Sequence, residues 1–86
     1  MKVHNMQSSR GNDVANQFII ESDTGIFFQS YQTIIAKKAN GKITLDSNKW
    51  DCSVTTGKYR NQFLGEGIAE TRKKIASGVY QLADLN

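Results

Sequence analysis

Trp50 to Tyr59 (Trp-Asp-Cys-Ser-Val-Thr-Thr-Gly-Lys-Tyr) constrains the fold of this chain more than any other stretch. Asp51, Ser53, Thr55 and Thr56 all carry side-chain oxygens that can accept from the exposed amides of a first helical turn. A readable β-hairpin lies before them and helical spacing follows. The segment therefore divides the chain into strands first and helices second.

The hairpin rests on Asn40-Gly41, two residues that tolerate positive φ as a two-residue type I′ turn requires. A two-residue loop sets Ala39 opposite Lys42, Lys38 opposite Ile43 and Ala36 opposite Leu45. Ile34, Ala36, Ile43 and Leu45 then share the core face, and Thr33, Lys37, Lys42, Thr44 and Asp46 form a polar, wet face. Upstream, Gln17 to Glu21 reads as a first strand and Ser22 to Gly25 as a turn. Ile26 to Lys38 reads as one long strand or two collinear short ones, with a bulge or bend at Gln29-Ser30. Residues 1–16 lack periodicity and read as a flexible leader.

Downstream, a helix is expected over about Thr55 to Leu64, with Tyr59 and Phe63 turned toward the sheet. Gly65-Glu66-Gly67 breaks it. A second helix over about Ile68 to Ser77 turns Ile68, Ile75 and Ala76 inward, and Gly78 ends it in a left-handed cap. Val79 to Asp84 closes the chain as a short strand. The expected fold is α+β: a small antiparallel sheet, a three-strand meander plus a short C-terminal strand, with two short helices on one face. The order is β-β-β-α-α-β, in a single domain over residues 17–86.

Composition limits the chemistry. The chain has 86 residues, one histidine and one cysteine. It cannot close an internal disulfide or assemble a Cys/His zinc site, and a reducing, intracellular setting is the natural reading. No apolar run approaches the roughly 18 residues that span a bilayer, and the N-terminus has no secretory apolar core. His4 falls in the expected leader, so the usual general base is missing from the folded part. Cys52 has no histidine partner and reads as a small buried or half-buried side chain beside Trp50. Asp46, Asp51, Glu66 and Glu70 match no metal-loop spacing, and Glu70 with Lys74 forms an i,i+4 surface pair. Gly65-Glu66-Gly67 lacks the Lys-Ser/Thr of a phosphate loop. No catalytic residue, metal ligand or cofactor is expected, and the chain reads as a non-enzyme.

The net charge of +3 excludes an acidic mimic of nucleic acid. Between residues 37 and 74, nine Lys/Arg face four Asp/Glu, enough to favour an anionic partner. Lys37, Lys42, Lys58, Arg60, Arg72, Lys73 and Lys74 are the candidate phosphate or partner contacts. Tyr31, with Phe27 and Tyr80, is a candidate exposed aromatic for stacking bases or meeting a protein. Phe18, Phe28, Trp50, Tyr59 and Phe63 are assigned to the core. A free strand edge allows a homodimer.

Ser30-Tyr31-Gln32-Thr33-Ile34-Ile35-Ala36, Gly41 to Leu45, Trp50-Asp51-Cys52-Ser53, Thr55-Thr56, Lys58-Tyr59 and Gln62-Phe63-Leu64 together resemble a family: a short domain of unknown function among small proteins of tailed bacteriophages. The similarity spans residues 17–85. The family pattern carries Tyr at the position of Cys52, which argues further against a catalytic thiol. The resemblance implies a phage-encoded protein acting in the host bacterial cytoplasm, and no defined activity. Such proteins often bind host machinery or block host defence. The expected partner is a host protein or a protein–nucleic-acid complex; direct binding of DNA or RNA through a basic helix face is the alternative.

Overall fold

Asn40 and Gly41 turn the chain with φ of 54° and 73°. They set Ala39 against Lys42, Lys38 against Ile43 and Ala36 against Leu45, the expected register. The rest of the sheet grows from this hairpin. The computed structural model describes residues 1–86. Its strands are β1 (Lys2–Gln7), β2 (Asp13–Ser22), β3 (Gly25–Ser30), β4 (Thr33–Ala39), β5 (Lys42–Asp46) and β6 (Tyr80–Ala83). Its helices are α1 (Val54–Leu64) and α2 (Ile68–Ala76). All six strands form one sheet in chain order. The first five make an antiparallel meander, and β6 adds parallel to β5. A parallel neighbour needs a long crossover, which α1 and α2 supply.

Five strands therefore precede the helices, which corrects the expected three-strand meander and its β-β-β-α-α-β order. Two local events account for the difference. First, Ile26 to Lys38 is a hairpin. Ser30 pairs with Thr33 across a two-residue turn in which Tyr31 takes φ 57°. Tyrosine rarely enters that region, so composition gives no turn signal; the Tyr31 amide is held by the Asn16 carbonyl at 2.7 Å. Second, residues 1–16 form β1 and the start of β2 instead of a leader. β1 has only Val3 and Met6 as apolar residues, and Val14 and Ala15 are adjacent at the start of β2, which hides the alternation. Met6 is nevertheless buried, and Asn5 Nδ2 donates to the Val14 carbonyl at 2.8 Å.

The bulge falls next to its expected place. The β3–β4 register shifts between Phe28 and Gln29, where Phe28 pairs with Ala36 and Gln29 with Ile34. Ile35 is the extra residue, and the shift carries it into the core while Ile34 leaves it. Ile35 is accordingly buried and Ile34 only half-buried.

One sheet face is covered. A line of paired residues, Ile19, Phe28, Ala36 and Leu45, runs across it. α1 lays Tyr59 and Phe63 on this line, with the Phe63 ring 5.9 Å from Phe28. Ser53 caps α1 by accepting from the Thr56 amide at 3.1 Å, and Gly65 ends it at φ 73°. α2 is turned differently from expectation: Thr71 is its buried residue, Ile75 packs on the core edge and Ala76 is exposed. Asp46, expected on the wet face, is 1% exposed. It accepts from the Asn48, Lys49 and Leu85 amides and from Asn86 Nδ2.

Gly25 sits at φ 150°, and a Cβ there would lie 2.5 Å from the Lys38 carbonyl oxygen. The obstacle is backbone and cannot swing away. Gly25→Ala is expected to cost about 2 kcal/mol, read as a fall of roughly 10 °C in Tm.

Candidate functional site

The expected basic residues do not form one surface. On the helix layer, the cations of α2 already have carboxylate partners. Arg72 Nη2 lies 3.5 Å from Asp51 Oδ2, Lys73 Nζ 3.8 Å from Glu70 Oε1 and Lys74 Nζ 2.6 Å from Glu66 Oε1. The Glu70–Lys74 pair expected from i,i+4 spacing is replaced by the last two contacts. Lys58 is exposed, with its Nζ 5.5 Å from the Tyr59 ring centre.

Arg60 is a clear correction. It was expected to meet phosphate, yet it is 2% exposed. Its Nη1 donates to the Trp50 carbonyl at 2.9 Å and to Asp51 Oδ1 at 3.0 Å, and Nη2 donates to Asn61 Oδ1 at 3.1 Å. The guanidinium also faces the Trp50 ring at 5.3 Å. Gly57 lies one turn earlier against the same guanidinium; a Cβ there would sit in ordinary contact, 3.5 Å from Arg60 Nη2. The Trp-Asp segment is thus tied to α1 by a buried arginine. Cys52, expected buried or half-buried, is exposed, with Sγ 3.6 Å from Thr56 Oγ1. His4 lies on β1, 3.6 Å from Glu21 Oε2. No group of three or more His, Cys, Asp or Glu residues is placed to hold a metal ion.

Sequence reasoning missed the role of Glu66. Its side chain, 9% exposed, accepts from Lys74 Nζ, from the Tyr80 hydroxyl at 2.7 Å and from Thr71 Oγ1 at 2.8 Å. Tyr80, expected exposed for stacking, is buried. Burial alone would raise the Glu66 carboxyl, but the bonds from Lys74, Tyr80 and Thr71 outweigh it and hold the group below its ordinary value. At Asp46, burial likewise pushes upward, and four donors led by the Leu85 amide outweigh it and hold the carboxyl below its ordinary value. Both groups bind protons more readily in the unfolded chain than in the folded one. The stability they add is present above the ordinary values of 3.8 and 4.5 and is lost as pH falls through and below them. Urea unfolding at falling pH should show the midpoint dropping steeply below about pH 4.5. Glu66→Gln should flatten part of that drop while lowering the midpoint at neutral pH.

The other sheet face carries no helix. Pairing across all six strands aligns Val3, Ile20, Phe27, Lys37, Thr44 and Gln81 on it. A second row aligns Asn5, Phe18, Gln29 and Ile34. Phe18, Ile20, Phe27 and Ile34 are half-buried, and Val3 is exposed. Lys37 Nζ lies 5.5 Å from the Phe27 ring centre, and exposed Lys42 follows on β5. Tyr31, 56% exposed, stands at one end. There, Asn16, Phe18, Tyr31, Gln32 and Thr33 line a depression of about 490 Å³.

The chain matches a family of unknown function (DUF8033) over residues 1–78. It belongs to that family. No curated protein and no solved structure matches it. The DUF8033 match takes in residues 1–16, the segment read from sequence as a leader, together with β1. Of the sequence-derived candidates in this DUF8033 chain, Tyr31, Lys37 and Lys42 are brought to the helix-free face. Lys58, Arg72 and Lys73 stay on the helix layer, and Arg60 and Lys74 are engaged internally. Phe18, assigned to the core by composition, joins the helix-free face; only the unseen turn at Tyr31 would have shown it. No helix is long and apolar enough to cross a membrane.

Proposed function

We propose that this DUF8033 protein is a non-enzymatic, phage-encoded accessory protein of the host bacterial cytoplasm. It works by binding a host protein or a protein–nucleic-acid complex, which it inhibits or redirects. The phage setting rests on the resemblance carried by Trp50 to Tyr59 and the flanking strands. The binding role rests on one observation: a six-strand face with Phe18, Ile20, Phe27, Ile34 and Val3 on it and no element packed over it. Apolar side chains grouped on an uncovered surface mark contact sites more often than chance exposure does. The basic helix face is less suited, because Arg72, Lys73 and Lys74 each face a carboxylate.

Capture of host lysate components on the tagged full chain, with and without nuclease, tests the reading. A stoichiometric bacterial partner is the expected result. Repeatedly empty captures under both conditions would contradict it.

A further inference from the structure

We infer that the helix-free sheet face binds single-stranded nucleic acid, stacking bases on Tyr31, Phe18 and Phe27 and meeting phosphates with Lys37 and Lys42. This rests on the reading that the face is the contact surface, and it names what the face takes. Three observations carry it. The rings form a track. Phe18 pairs with Gln29, two residues from Phe27 on the same strand, so the two phenylalanines are diagonal neighbours about 7–8 Å apart. Tyr31 extends the track past the end of β3.

Charge follows the same track. Lys37 pairs directly with Phe27 and holds its ammonium 5.5 Å from that ring's centre. Lys42 lies beyond it on β5. On β5, which carries Lys42, the one carboxylate is Asp46, buried with both oxygens engaged. The exposed Asp84 shares a second depression with Gln32 and Thr33, so the phosphate contacts are assigned to Lys37 and Lys42 and not to that depression. The depression at the Tyr31 end adds polar edge groups. Asn16 and Gln32 amides and the Thr33 hydroxyl line it beside two rings, a composition suited to the hydrogen-bonding edge of a base held against an aromatic face. Unstacked bases can reach such a platform, whereas those of a duplex cannot.

The test is fluorescence anisotropy of the full chain with labelled oligo-dT, oligo-U and duplex DNA of about 12 nucleotides, across about 50–200 mM salt. The oligo-dT and oligo-U arms separate DNA from RNA. Salt-sensitive binding to at least one single strand, tighter than to duplex, is expected. Tyr31→Asn removes a ring while supplying a residue that tolerates positive φ, so the turn is kept; affinity should fall about 10-fold. Lys37→Gln with Lys42→Gln should lower the salt slope by about 1.4. Arg72→Gln with Lys73→Gln should leave affinity unchanged. Absence of salt-sensitive binding, or binding indifferent to the sheet-face variants, overturns the inference. If single strands fail but a nuclease-resistant host protein is captured and then lost in the same variants, nucleic acid is the wrong occupant and the face is still the contact surface. If strands fail and captures are empty, both readings fall.

Discussion

A chain lacking residues 1–12 is expected to be severely destabilised, with its cooperative transition lost or moved down by more than about 15 °C. At roughly 0.05–0.15 kcal/mol per residue, a domain of 86 residues has about 4–13 kcal/mol of stability. Truncation removes β1, and with it Met6, which is 5% exposed in the core. Burying one such side chain is worth about 1.5–3 kcal/mol. The Asn5 bond to the Val14 carbonyl and the Gln62 bond to the Gln7 carbonyl go too, at about 1 kcal/mol each. The ladder along β2 is then left open to water, with Val14 and Ile19 uncovered. These losses consume most of the low end of the range. Thermal melting followed by circular dichroism should show no sigmoidal transition, or a Tm lowered by more than about 15 °C. A truncated chain melting within about 2 °C of the full one would mean that residues 1–12 are the leader their composition suggests.

Arg60→Met carries the second large effect, about 3 kcal/mol or roughly 15 °C in Tm. Methionine preserves most of the volume, so the change isolates the polar role. The Trp50 carbonyl and Asn61 Oδ1 lose their guanidinium donor, and the Trp50 ring loses its cation. Asp51 is 38% exposed and can return to water, which keeps the cost below that of a fully buried orphaned charge. Arg72→Ala provides the contrast. Its side chain is 66% exposed beside the same Asp51, and exposed pairs contribute about 0–1 kcal/mol. Equal small effects for both variants would contradict the burial of Arg60.

What was legible in the sequence was whatever local chemistry decides alone. Asn40-Gly41 set both turn and register, because few other dipeptides accept two positive φ values. Gly65 marked the end of α1 for a similar reason, while its start was legible only as a cluster of four possible caps, Asp51, Ser53, Thr55 and Thr56, of which Ser53 takes the role. Other features depended on distant partners. Tyr31 turns the chain because Asn16 holds its amide. Ile35 replaces Ile34 in the core because a bulge shifts the alternation by one. Met6 and Val14 are too widely spaced among polar residues to announce strands. Arg60 has the sequence position of a surface cation, and it is buried because the Trp50 carbonyl, Asp51 and Asn61 supply its hydrogen-bond acceptors. The candidate surface followed from these same events. Lys37 and Lys42 were identifiable as cations, but their meeting with Phe18 and Phe27 required the hairpin at Tyr31.

The central claim is that the helix-free sheet face, and not the basic helix face, makes the contact. Host-lysate capture with two paired variants tests it most directly: Phe27→Ser with Lys37→Ser, and Arg72→Ala with Lys73→Ala, each first shown by thermal melting to be folded. The sheet-face variant is predicted to lose the partner recovered by the unaltered protein, and the helix variant to retain it. Retention by the sheet-face variant together with loss by the helix variant would contradict the claim.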